Sequence, residues 1–191
     1  MFVSPLAPLM TSPQPLMVLV PLLVLVWAAA WVDFHTFKVP NALSVSGALL
    51  GLLVQAISAG IDGLGAGLAG LGLAMVLFFP LYLIGRTGAG DVKLIGALGT
   101  FLGPERLFYA LLPIIVAAGA VAVIYAVMAW RTRGATGPWQ RYGRIIRFLW
   151  VTGRFQYLPP TSDEALAARL PLAVPIALGS TAAVLWPFSI P

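Results

Sequence analysis

The chain contains no cysteine, a single histidine and only six acidic residues in 191. Without cysteine there is no disulfide, no zinc–thiolate site and no thiol nucleophile, and the redox compartment stays undetermined. With one histidine, spacing supports neither a Ser/His/Asp constellation nor a metal-ligand cluster, so no metal and no cofactor are expected. Charge itself is scarce: charged residues make up 9% and hydrophobic residues 60%, against about 25% charged in a soluble domain. That balance excludes an ordinary soluble core and predicts an integral membrane protein. The excess of Lys and Arg, 11 against 6 acidic residues, then reports orientation in the bilayer. No nucleic-acid partner is expected. Basic residues are also missing ahead of the first apolar run, so a secretory signal is not the expected reading despite Ala28-Ala29-Ala30. Residues 1–15 are expected to be a short extracytoplasmic tail.

Long apolar runs are what the chain does have. They fall at Leu16–Val32, Ala42–Ala59, Leu64–Ile84, Leu107–Trp130 and Leu170–Trp186, each near the roughly 17–25 residues that a spanning helix needs. A sixth run, Val92–Leu102, is short; at about 1.5 Å per residue it covers roughly half the hydrocarbon core. Charge decides whether the chain crosses there. If it crosses and the N-terminus is outside, Lys38, Arg86, Lys93, Arg131, Arg133, Arg141, Arg144, Arg147, Arg154 and Arg169 are cytoplasmic, and Arg106 alone is outside. If it turns back, the split becomes four to seven. The positive-inside rule selects the first arrangement. The expected architecture is therefore an all-α polytopic membrane protein, 1–191 as one domain. It has six transmembrane helices, the fourth short, and both termini outside. Asp33 and Asp91 then share the cytoplasmic membrane edge.

Gly63, Ala66, Gly67, Gly70 and Gly72, and Gly96 and Gly99 on the short helix, read as small residues that let helices approach closely. Pro80, Pro113, Pro171 and Pro175 lie inside predicted helices and are expected to kink them. Residues 131–169 form the one long polar connection, a basic cytoplasmic loop. Within it Trp139, Tyr142, Ile145, Ile146, Leu149 and Trp150 recur at helical spacing opposite Gln140, Arg141, Arg144 and Arg147. This predicts an interfacial amphipathic helix on an anionic leaflet. Asp163 and Glu164, with Ser162 as cap, read as the acidic start of the last helix.

Two of the rare carboxylates stand where hydrocarbon tolerates them least. Asp33 ends the first apolar run, and Asp91 closes Gly88-Ala89-Gly90-Asp91 after the third. A charge in such a place costs roughly 2.5–3.5 kcal/mol on insertion scales. Two aspartates brought to one site can share a proton, one acting as general base on water and the other as general acid toward a carbonyl. Water activated in this way hydrolyses a peptide bond without a metal or a covalent intermediate. Gly88 and Gly90 would let the backbone open before Asp91 and admit an extended strand.

Asp33, followed seven residues later by Pro40-Asn41, together with Gly88-Ala89-Gly90-Asp91-Val92-Lys93, resembles the type IV prepilin peptidases. These are intramembrane aspartic proteases of the GxGD kind. The resemblance runs from about Val18 to Trp130 and implies that Asp33 and Asp91 are the catalytic pair. It also implies the substrate: a pilin-like precursor with a basic leader ending in Gly and a following apolar helix. Cleavage would occur at the cytoplasmic face of the bacterial inner membrane. Bifunctional members carry an N-terminal cytoplasmic region, often with paired Cys, and methylate the new N-terminus. This chain is similar to the short, peptidase-only members that serve Flp/Tad-type pili; archaeal preflagellin peptidases are an alternative within the class.

Lys93 belongs to the motif, either as a cation acting on Asp91 or a substrate carboxylate, or as a positive-inside anchor. Pro40 and Asn41 are expected to cap and start the second helix. Lys38 reads as an anchor and His35 as a solvated residue. Asp62 and Glu105 are expected in outer loops. The alternative function is a small transporter using Asp33 and Asp91 to bind a proton or cation. The oligomeric state is left open.

Overall fold

The computed structural model describes residues 13–83, 87–133, 139–153 and 170–185. These form five helices: α1 (Pro13–Thr36), α2 (Asn41–Leu83), α3 (Ala89–Arg133), α4 (Trp139–Thr152) and α5 (Ala173–Leu185). No strand occurs among the described residues. By length and composition α1, α2 and α3 can each cross a membrane, and α5 is a shorter apolar helix. Two compact units result, 1–118 with 171–191, and 119–170.

At about 1.5 Å per residue, a straight helix the length of α2 would extend roughly twice the thickness of the hydrocarbon core. It does not run straight. Ala59 (φ −138°, ψ 17°) and Gly60 (φ 63°, ψ −141°) leave helical geometry, and glycine takes the positive φ without the penalty a Cβ carries. The chain turns back there, because Gly63 then abuts the Gln55 carbonyl and Gly67 abuts Leu52. α3 breaks in the same manner at Gly103 (φ 72°). Carbonyls before such a break lose their donors four residues on. One of them, that of Phe101, is met by the Gln55 side-chain amide at 2.8 Å.

The breaks differ from the expected kinks. Pro80 and Pro113 lie within α2 and α3 with helical dihedrals on either side. Pro171 precedes α5, where its carbonyl accepts the Val174 N–H at 3.2 Å. Pro175 falls in the first turn, where a missing N–H costs little. The last helix begins at Ala173, and Ser162, Asp163 and Glu164 lie outside the described residues.

Small residues set the packing of the first unit. The α2 stripe Ser44, Gly47, Gly51 and, after the reversal, Gly63, Gly67, Gly70 and Ala74 is buried. A Cβ at Gly51 would strike Thr100, and one at Gly70 would strike the Gly99 carbonyl. Gly72 faces open space instead. The core between these helices is built from Leu22, Val26 and Ala29 of α1, Leu94, Leu98 and Phe101 of α3 before its break, and Leu107, Ala110, Leu111 and Ile114 after it. The last four recur at i, i+3, i+4, i+7, one helical stripe. α5 adds Ala173, Ile176 and Ala177. Outward faces are apolar as well: Val24, Leu53, Val76 and Ile115 are all more than half exposed. Water would penalise such a surface and lipid does not.

Helix directions follow from the cross-contacts. Leu25 of α1 faces Gly47 of α2. Asp33 meets Ala173, and Trp27 donates to Thr181 at 3.2 Å, so α1 and α5 are antiparallel. Lys93 meets Asn41, while Thr100 meets Gly51, so the first halves of α2 and α3 run in the same direction. The end of α1 and the starts of α2, α3 and α5 are consequently gathered at one end of the first unit.

In the second unit, α4 takes the expected helical form over Trp139–Thr152. Ile145 is buried, while Ile146, Leu149 and Trp150 are exposed.

Candidate active site

Asp33 occupies the last turn of α1, one of only four buried polar or charged residues among those described, with 5% of its surface exposed. The residue that stops the helix is Phe37. Its N–H returns to the Asp33 carbonyl at 2.8 Å, and its φ is 52°. This is the left-handed position at which helices usually place glycine; a phenylalanine there carries backbone strain. Thr36 reinforces the turn, its one hydroxyl proton shared between the Val32 carbonyl at 2.8 Å and the Lys38 carbonyl at 3.0 Å. The chain thus leaves α1 at a fixed angle and reaches Val39 and Pro40.

Pro40 is the cap of α2: its carbonyl accepts the N–H groups of Leu43 and Ser44 at 3.1 and 3.3 Å. Asn41 is the first helical residue, and its side chain does not cap. Its Oδ1 accepts a hydrogen bond from Lys93 Nζ at 2.8 Å. Lys93 therefore ties the start of α2 to the start of α3, a role that neither reading of its charge anticipated.

Asp91 sits in the first turn of α3, with Gly88 in the cap position. The two bond reciprocally: the Asp91 N–H donates to the Gly88 carbonyl at 3.1 Å, and the Gly88 N–H donates to Asp91 Oδ2 at 3.2 Å. This is the carboxylate half of a capping box. Both glycines stand close to a neighbour. A Cβ on Gly88 would stand 2.9 Å from Asp91 Oδ2, and one on Gly90 would stand 3.1 Å from the Val39 Cβ. The room these glycines leave is thus taken by the chain itself, which lets the α1–α2 connection lie against the start of α3. The contact of Gly90 with Val39 and the Lys93–Asn41 bond bring the start of α3 to the connection that follows Asp33.

The structure adds a partner that the sequence did not reveal. Asp33 Oδ2 accepts the main-chain N–H of Ala173 at 2.9 Å, a buried bond across 140 residues of chain. Main-chain donors leave no mark in a sequence, and only the packing of α5 against α1 brings this one near. Two hydroxyls at this end, Ser44 Oγ and Thr87 Oγ1, are buried without a hydrogen-bond partner.

Other residues stand apart. His35 Nδ1 is 2.8 Å from the Trp31 carbonyl within α1, and its ring packs on Trp31 and Phe34 on an exposed face. Lys38 is exposed; Asp62 and Glu105 are exposed just after the two helix breaks, at the opposite end of the first unit. Among the described residues, no group of three or more His, Cys, Asp or Glu could hold a metal ion.

Neither a curated protein nor a solved structure matches the chain. A family model does. It covers residues 20–127 and describes the type IV leader peptidase family. The match includes Asp33, Pro40, Asn41, Gly88, Gly90, Asp91 and Lys93, every residue by which the sequence resembled the prepilin peptidases. Asp33 and Asp91 stand at one end of an apolar helix bundle, and the chain belongs to the type IV leader peptidase family.

Proposed function

We propose that this protein is an aspartic endopeptidase that removes the leader from type IV pilin-like precursors, using Asp33 and Asp91. The observation that carries the reading is the burial of Asp33 at the same end of the first unit as the capped Asp91, where the α1–α2 connection lies against the start of α3. One carboxylate, ionised, takes a proton from water as the water oxygen bonds to the scissile carbonyl carbon. The other, protonated, hydrogen-bonds to the carbonyl oxygen, and a proton passes to the departing nitrogen as the C–N bond breaks. The products are a leader with a new carboxylate and a mature pilin with a new amine.

The six-crossing arrangement belongs to this proposal. The breaks at Ala59–Gly60 and Gly103 divide α2 and α3 into segments commensurate with one bilayer thickness or less. Each break stands opposite the end that holds Asp33 and Asp91. With charge as the guide to orientation, those aspartates lie at the cytoplasmic face of the bacterial inner membrane, and α4 lies along the interface in the 131–169 loop. Within the family, the absence of cysteine supports a peptidase-only enzyme acting on Flp-type precursors without N-methylation. A transporter would also want paired intramembrane carboxylates, but membership of a peptidase family gives hydrolysis the stronger support.

The test uses purified protein in detergent with a synthetic or co-expressed prepilin, followed by mass measurement of the released leader. Wild-type protein should release it. Asp33→Asn and Asp91→Asn should each lower the rate by about 10³-fold or more while melting like the wild type. Cleavage by either variant at the wild-type rate would overturn the paired-aspartate reading.

A further inference from the structure

α5 lies beyond the residues that the family model matches, yet its first turn reaches Asp33. At the start of a helix the first N–H groups have no partner within the helix, and the residue ahead of them usually supplies a side-chain oxygen. Here that residue is Leu172, which has none. The oxygen comes instead from Asp33, whose Oδ2 accepts the Ala173 N–H at 2.9 Å in a buried setting. Asp91 is held comparably, by the Gly88 N–H on its own Oδ2. Each carboxylate therefore has one oxygen fixed by a main-chain donor at a helix start, and neither bond commits the Oδ1 atoms. The two restraints differ in origin. That of Asp91 is local and exposed, whereas that of Asp33 depends on where α5 is packed. Two contacts set that position: Trp27 donates to Thr181 at 3.2 Å, and Gly179 lies so close to the Ile114 backbone that a Cβ could not be inserted.

We propose that the main-chain amide of Ala173 is a positioning group for the Asp33 carboxylate, and that α5 is thereby part of the active site. The inference rests on the reading of Asp33 and Asp91 given under Proposed function. Asp33 ends a helix whose last turn closes on the strained Phe37, and its carboxylate can rotate about its side-chain bonds. The amide removes that freedom by fixing Oδ2 and leaves Oδ1 uncommitted. A group that orients the reacting carboxylate acts on kcat and leaves substrate binding alone.

Proline substitution provides the test, because proline deletes a single N–H and is accepted at the first helical position. In Ala173→Pro, kcat for prepilin cleavage should fall about tenfold or more while KM stays within about twofold, the loss expected of one charge-assisted hydrogen bond. Val174→Pro removes the neighbouring N–H, which bonds to Pro171 and not to Asp33; it should keep the wild-type kcat. A second arm does not depend on the folding of Ala173→Pro. In protein carrying [15N]alanine, the Ala173 amide should exchange with solvent at least about tenfold faster in Asp33→Ala than in wild type. Unchanged exchange in Asp33→Ala, unchanged kcat in a folded Ala173→Pro, or equal kcat loss in both proline variants would overturn the inference. Wild-type-rate cleavage by either Asp→Asn variant would instead overturn the underlying reading, so the two failures are distinguishable.

Discussion

Lys93 and Asn41 illustrate how a motif residue can be recognised before its work is known. The sequence marks Lys93 as part of the Gly88–Lys93 motif and leaves its cation either reactive or anchoring. In the fold, its amine spends a hydrogen bond on Asn41, the first residue of another helix. A hydrogen bond to a charged group contributes about 1.5–3 kcal/mol at most, less where water competes. Lys93→Met should therefore lower unfolding stability in detergent by about 1 kcal/mol and slow cleavage, because α2 and α3 lose their register at the site. Asn41→Asp keeps an acceptor and should stay within about 0.5 kcal/mol of wild type. Equal losses in both variants, read by chemical denaturation, would show that the bond does not contribute. Gly90 teaches a related lesson. Its lack of a side chain serves Val39 of the same protein, a contact that cannot be inferred from a Gly-x-Gly pattern.

Among the helices, some glycines abut a neighbouring backbone, some a side chain, and some nothing. Gly70 faces the Gly99 carbonyl, whereas Gly72, two residues on, faces open space. The sequence grouped both with the packing stripe because their spacing is similar. Helical geometry separates them, since residues two apart point about 200° apart around the axis. Gly70→Ala should force the helices apart and destabilise the protein by about 1–3 kcal/mol. Gly72→Ala should be neutral or slightly stabilising, because alanine is the better helix former by about 1 kcal/mol. Melting temperatures of the two variants in the same detergent compare them directly. Similar values would mean that the close contact between α2 and α3 is not what holds this pair together. The helix breaks follow the same logic. Proline marks candidate kinks in sequence, but Pro80 and Pro113 sit in continuous helix, while the reversals occur at Gly60 and Gly103, where positive φ is required.

For the whole molecule, the proposed topology makes a prediction that the chain is well suited to answer, because it contains no cysteine. Single substitutions Asp62→Cys and Glu105→Cys, just past the two breaks, should react with a membrane-impermeant thiol reagent in intact cells. Lys38→Cys and Gly143→Cys should react only after the membrane is opened. Reaction of Asp62→Cys and Lys38→Cys from the same side would remove the hairpin crossing of α2 from the topology. Charge distribution is the argument for this proposed arrangement: moving the short third-helix segment out of the membrane would scatter the arginines across both faces.

The amino-acid sequence alone established an all-helical, lipid-compatible chain, two isolated carboxylates and the motif residues around them, because hydropathy, charge placement and spacing are properties of the linear order. Tertiary structure decided which glycines touch, where α2 and α3 reverse, that Lys93 bonds to Asn41, and that a main-chain amide of α5 reaches Asp33. Those depend on main-chain donors and on contacts between residues up to 140 positions apart, and every residue type carries the same N–H except proline, so no pattern of side chains can announce them.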